Sequence, residues 1–222
     1  MPRRSTDFPA LIDSIAADER SQVPKGERTR QLILARAAAR ASEGGLDSLS
    51  LGGLADELGM SKSGLFAHFG LRHELQLATI ERAREIFLVE VIEPALELPP
   101  GIDRLRALCE GSLSYVERGV FPGGCFFSTV VAEFANRPGV IQDRLAALTE
   151  QWLGLLEEAI RVARRKGQLT REVNAKRLAF ELFAVGDTAT RYRGLFGSTS
   201  IASAYSATRE IISRVSPDPR KV

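Results

Sequence analysis

The chain has 222 residues, 44% of them hydrophobic and 26% charged, with a formal net charge of +2. That is the composition of a water-soluble globular protein with room for one or two helical domains, and the charge is too small to identify a nucleic-acid binder without its local placement. No apolar run is long enough for a bilayer span or a signal peptide, and Cys109 and Cys125 suit a reducing compartment. His68 and His73 stand too far from either cysteine to build a zinc site, so a cytoplasmic chain with no membrane, metal or cofactor is expected.

Helical periodicity dominates, with no β-hairpin and no internal repeat. Phe8, Leu11, Ile12 and Ile15 have the spacing of a short amphipathic helix inside an N-terminal extension over 1–24. A helix follows over 25–43, with Leu34, Ala37, Ala38 and Ala41 as its buried stripe and Gly44 and Gly45 as its stop. Ser50 can cap a short helix whose apolar positions are Leu51, Leu54, Ala55 and Leu58. Gly59 permits a tight corner, and Ser61 can cap a third helix over 62–68. From Arg72 a long helix runs to about Glu93, where Pro94 and then Pro99, Pro100 and Gly101 should end it. Further helices are predicted over 102–119, 123–135, 138–166, 174–196 and 201–214, and the tail over 216–219 reads as disordered.

The segment SLGGLADELGMSKSGLFAHF, residues 50–69, has the form of a helix-turn-helix. Two short helices joined at a glycine corner can set the second into the major groove. Leu51, Leu54, Leu58, Met60, Leu65 and Phe69 provide the core beneath, while Ser61, Lys62, Ser63 and His68 provide donors on the other face.

With Ile33-Leu34, Ala37-Ala38, Gly45-Leu46, Leu54-Ala55, Leu58 to Ser63, Leu65-Phe66, His68-Phe69 and Glu74-Leu75, this segment resembles the tetracycline-repressor (TetR) family of bacterial regulators. The resemblance covers about residues 28–87. It implies an all-α homodimer with a three-helix DNA-binding domain over 25–86. A C-terminal antiparallel helical domain over 87–215 would bind the effector and dimerise. It implies a repressor that holds a palindromic double-stranded operator and releases it when a small molecule binds. The chain departs from the family pattern at Phe66, where a tyrosine often stands, at Gly64, which carries no side chain, and at Gly70-Leu71 before the long helix.

Candidate DNA contacts are Ser50, Ser61, Lys62, Ser63, Ala67, His68 and Arg72. Lys62 starts the recognition helix and can meet phosphate or a base edge; Ala67 can meet a thymine methyl. His68 can equally be a packed core histidine, and Arg72 a solvated surface arginine. Lys25, Arg28 and Arg30 can touch the DNA backbone or simply solvate their helix. Candidate pocket residues are Tyr115, Cys125, Phe126, Phe127, Val130, Glu133, Phe134 and Trp152, an apolar set with few polar groups, and each could instead be plain core. Candidate dimer contacts are Leu155, Ala179, Phe183, Gly186 and Ala189, where small residues would let helices approach. No nucleophile–base pair, phosphate loop or metal cluster marks an enzyme; an enzyme or a helical small-ligand carrier without DNA binding is the alternative.

Overall fold

The computed structural model describes residues 24–217. The extension helix expected over 8–15, and the tail from residue 218 onward, lie outside the described residues. Every regular element within them is helical. They are α1 (Lys25–Gly44), a 3₁₀ turn (Leu46–Ser48), α2 (Leu51–Glu57), α3 (Lys62–Phe69), α4 (Arg72–Phe87), a π turn (Leu88–Ile92) and α5 (Glu93–Leu96). Then come α6 (Ile102–Glu117), α7 (Phe126–Phe134), α8 (Val140–Arg165), α9 (Ala175–Phe196), a second 3₁₀ turn (Ser198–Ile201) and α10 (Ala202–Arg214).

The chain forms two compact units, and neither is one continuous stretch. Unit 1 combines the chain up to Ile86 with Arg118–Asp143; unit 2 combines Phe87–Glu117 with the chain from Arg144 onward. One division between them falls between Ile86 and Phe87. Residues 118–143, however, pack with the N-terminal unit and not with the C-terminal helices that flank them in sequence.

In unit 1, the stripe of α1 is buried, and its alanines keep that face shallow: Ala37, Ala38 and Ala41 have no exposed surface. A face without long side chains lets another helix approach closely, and α7 does so. Just ahead of α7, Gly123 lies so near the end of α1 that a Cβ would stand 2.0 Å from the Ser42 carbonyl oxygen. The Gly123 N–H donates to Ser42 Oγ at 3.1 Å, and the Thr129 hydroxyl donates to the Ser42 carbonyl at 2.9 Å. The end of α1 is thus clasped by a segment more than eighty residues away in sequence.

In unit 2, α6, α8, α9 and α10 share a core that includes Leu105, Leu108, Leu156, Ile160, Leu178 and Ile212. Each such buried leucine or isoleucine contributes roughly 1.5–3 kcal/mol by leaving water. Asn174 caps α9 by accepting the Arg177 N–H at 3.0 Å. The helical path that starts at Arg72 does not stop at Pro94, contrary to the sequence expectation; it continues to Leu96. The π turn is the reason. The Glu93 N–H reaches back five residues to the Leu88 carbonyl. The wider turn re-spaces the carbonyls ahead of the proline, whose ring would clash in an uninterrupted α-helix.

Candidate nucleic-acid interface

The corner between α2 and α3 is built by local rules. Ser50 Oγ accepts the Gly53 N–H at 3.0 Å and so starts α2. At the other end the Met60 N–H bonds the Ala55 carbonyl at 2.9 Å and the Gly59 N–H bonds the Asp56 carbonyl at 3.3 Å. That pair of bonds is a Schellman stop, and Gly59 supplies its left-handed residue with φ +63°. Ser61 Oγ then accepts the Gly64 N–H at 3.1 Å and starts α3. Glu57 receives Arg36, and Arg40 at 3.2 Å, which joins α2 to α1. Leu54, Ala55, Leu65 and Phe69 are buried beneath the corner.

This arrangement turns Lys62, Ser63, Phe66 and Ala67 outward. From Leu58 to His73 the sequence carries Lys62, His68, Arg72 and His73 and no carboxylate. Lys62 has no ion pair among the described residues. Its side chain runs past Gly52, with Cε 3.2 Å from where a Cβ there would stand. The glycine that weakens α2 as a helix former therefore leaves the path that the lysine follows. His68 is half-buried, its ring tilted against Phe69 at 6.2 Å between centroids, so it belongs partly to the packing. Arg30, at the start of α1, stacks its guanidinium over the Phe69 ring at 5.3 Å.

Arg72 is not left to the solvent or to DNA alone. It donates to the Asp47 carbonyl at 2.7 Å and to Asp47 Oδ1 at 3.3 Å, and Arg137 binds the other oxygen of the same carboxylate. The Arg137 hydrogen bond, reinforced by the charges of Arg137 and Arg72, holds the Asp47 carboxyl below its usual value. Behind it, Glu133 accepts the Leu46 N–H at 2.6 Å and the Asp47 N–H at 2.9 Å. These are the first amides of a 3₁₀ turn, where a carboxylate is well placed. Gln76 completes the junction by donating to the buried Leu46 carbonyl at 3.2 Å. None of these long-range partners carries a sequence signal. The only local hint is Gly45 at φ +77°, whose missing Cβ leaves room for the Glu133 carboxylate.

The other predicted sites are redistributed. Cys125, Phe126, Phe127, Val130, Glu133 and Phe134 belong to unit 1, whereas Tyr115 and Trp152 belong to unit 2. Phe126, Val130 and Phe134 are buried in their own unit, and each Glu133 oxygen accepts a backbone amide, which gives Glu133 a capping role. Tyr115 and Trp152 are instead brought together by Phe87, whose ring meets them edge-on at 5.3 and 5.2 Å. Of the dimer candidates, Ala179 and Ala189 are buried inside the subunit, and a partner cannot reach them; Leu155, Phe183 and Gly186 are half-buried. The outward face of α9 carries Phe180, Ala184, Asp187, Arg191 and Leu195, with Phe180 64% and Leu195 74% exposed. Burial pushes the Cys109 thiol up to about 12. No group of three or more His, Cys, Asp or Glu among the described residues could hold a metal, and no helix among them is long and apolar enough to cross a membrane.

Comparison with known families matches residues 33–79 to bacterial regulatory proteins of the tetR family and residues 101–208 to the tetracyclin repressor-like C-terminal domain. No curated protein matches the chain. Among solved structures, a TetR transcriptional regulator from Chloroflexus aurantiacus is 25% identical with a TM-score of 0.75, covering 87% of this chain and 97% of that one. A TetR-family regulator from Cytophaga hutchinsonii is 15% identical with a TM-score of 0.77, covering 89% and 100%. AibR, solved in complex with isovaleryl coenzyme A and operator DNA, is 22% identical with a TM-score of 0.66, covering 85% and 98%.

Proposed function

The chain belongs to the tetR family of bacterial transcriptional regulators, and from that premise we propose that it represses transcription by holding an inverted-repeat operator as a homodimer and releasing it when a small molecule binds. The observation that carries this reading is the outward face of α3. It is a helix capped and set by its corner, with Lys62 exposed at its start and no carboxylate from Leu58 to His73. Ser50, Ser61 and Ser63 stand beside it, and phosphate contacts from such groups fix register on the duplex.

One eight-residue helix reads only a few base pairs. A genome of competing sites demands more, and a twofold pair of helices supplies it. The surface proposed for pairing is the exposed face of α9, from Phe180 through Ala184 to Leu195, continued by Leu155 and Phe183. Two large apolar side chains more than half exposed on one helix face are unusual for a surface that stays in water. The effector is proposed to be apolar or amphipathic, with the Phe87, Tyr115 and Trp152 rings as one wall of its site. AibR, which holds both isovaleryl coenzyme A and operator DNA in its complex, illustrates that one protein of this fold accommodates both. The protein acts by binding and not by turnover, in the cytoplasm where the chromosome is.

Enrichment of duplexes from a random pool tests the reading. A palindromic consensus, bound with an affinity that falls steeply with salt, is the expected result. Lys62→Ala should weaken all duplexes alike and flatten the salt slope if it meets phosphate, or lose about 1–3 kcal/mol at one base pair if it reads a guanine edge. A purified protein that enriches no duplex, or that sediments as a monomer at micromolar concentration, would overturn the proposal.

A further inference from the structure

The recognition helix presents an outward strip that is almost entirely carbon. Ser63, Phe66, Ala67 and Gly70 follow helical i, i+3, i+4, i+7 spacing, and all four are exposed, while Leu65 and Phe69 are buried on the other side. Phe66, at the centre of the strip, is 50% exposed.

The polar groups around the strip are few, and most are engaged. Ser61 Oγ accepts the Gly64 N–H at 3.1 Å and lies 3.3 Å from Ser63 Oγ. Gly64 offers no side chain. Arg72 is held by Asp47, and His68 leans on Phe69. Lys62 leaves from the first turn and passes over Gly52, at the edge of the strip. Apart from the half-buried His68, the middle of the helix therefore has no side-chain donor or acceptor to offer a base edge.

A base pair in the major groove shows donors, acceptors and one apolar group, the C5 methyl of thymine. A phenylalanine and an alanine side by side on a groove-facing helix match that group and no other. The geometry points to thymine methyls as what Phe66 and Ala67 recognise. The operator half-site is then specified at the centre of α3 by carbon contact, with hydrogen-bonded readout confined to its first turn at Lys62 and Ser63. This rests on the reading of the chain as a duplex-binding regulator.

The test uses the full-length protein and the most enriched duplex from a random pool. Each thymidine is replaced in turn by deoxyuridine, which deletes the methyl and leaves every hydrogen-bonding group and phosphate in place. Affinity should fall about fourfold at each contacted thymine, the ratio that burial of one methyl group carries. In Phe66→Ala, checked for native helicity, the thymine-to-uracil ratio should collapse to 1 at one position per half-site while the salt slope stays unchanged. Phe66→Leu, which keeps an apolar side chain, should retain part of the ratio. If wild type binds its duplex tightly but deoxyuridine is tolerated everywhere, the methyl readout is overturned and DNA binding stands. Loss of the ratio at a position that Phe66→Ala does not affect would move the readout away from Phe66 and overturn its role. Failure to enrich any duplex would overturn both this inference and the reading beneath it.

Discussion

The two units are held together by different kinds of contact. Unit 1 is fastened by hydrogen bonds from side chains to a distant backbone: Glu133 to the Leu46 and Asp47 amides, Ser42 to Gly123, Gln76 to the Leu46 carbonyl. Unit 2 rests on an apolar core shared by four helices, and many of its ion pairs are local, such as Arg161 with Glu157 and Arg177 with Glu181, each four residues apart; its long-range bonds to backbone, Gln168 accepting the Ile102 amide and Lys166 donating to the Pro100 carbonyl, gather at the start of α6. Apolar contact tolerates small shifts; a hydrogen bond to a particular amide does not. The junction around the 3₁₀ turn of unit 1 therefore has its geometry set at a few points, as a surface that must match a groove requires, while the helices of unit 2 are joined chiefly through their shared apolar core.

The contrast can be broken by substitution, and the only tryptophan helps, because Trp152 lies in unit 2 and its fluorescence reports that unit. The largest effect is expected from Leu156→Ala in the unit 2 core, where Leu156 is 1% exposed. It should cost about 3 kcal/mol, and the Trp152 transition should move with it in a denaturant titration. Next comes Gly123→Ala. Its Cβ would meet the Ser42 backbone, which cannot rotate away, so about 2–3 kcal/mol is expected. Circular dichroism should register the loss with a smaller displacement of the Trp152 signal. An equal displacement of both would show that the units melt as one and dissolve the contrast.

Glu133→Ala should cost about 2 kcal/mol by leaving the Leu46 and Asp47 amides without their carboxylate. Thermal melting measures this. Unchanged stability together with an altered effector response would instead return Glu133 to a ligand site. The smallest effect concerns acid. Asp47 is held below its usual value by Arg137, so its contribution is fully present above the unfolded carboxylate value of about 4 and is lost as pH falls through the lower folded value. Because the pair is exposed, this should amount to less than about 1 kcal/mol and shrink in salt. Asp47→Asn should remove that increment of acid sensitivity; an identical acid profile would show that the pair contributes nothing measurable.

These contacts also mark where sequence reading stopped. The caps at Ser50 and Ser61, the corner at Gly59 and the stripe of α1 were legible because each is a local rule acting over four or five residues. Glu133 was not, since a carboxylate reaching an amide 87 residues away leaves no periodic trace. Residues 118–143 were placed with their chain neighbours for the same reason. The small size of Ala179 and Ala189 suggests a partner helix, but small size shows only that something packs there and not what; both are buried within the subunit, Ala179 in the core of unit 2. Pro94 failed as a stop because a single π turn, invisible in composition, re-spaces the carbonyls before it.

The split in unit 1 has a consequence for synthesis. A protein made from its N-terminus normally completes its first domain first. Here the helix-turn-helix emerges early, yet the strap that fastens α1 and the 3₁₀ turn ends at Asp143, with the whole of α6 translated in between. The reading head is therefore finished only after the ribosome has passed residue 143, and a nascent or truncated chain ending at residue 86 carries the groove-facing helix without its fastening.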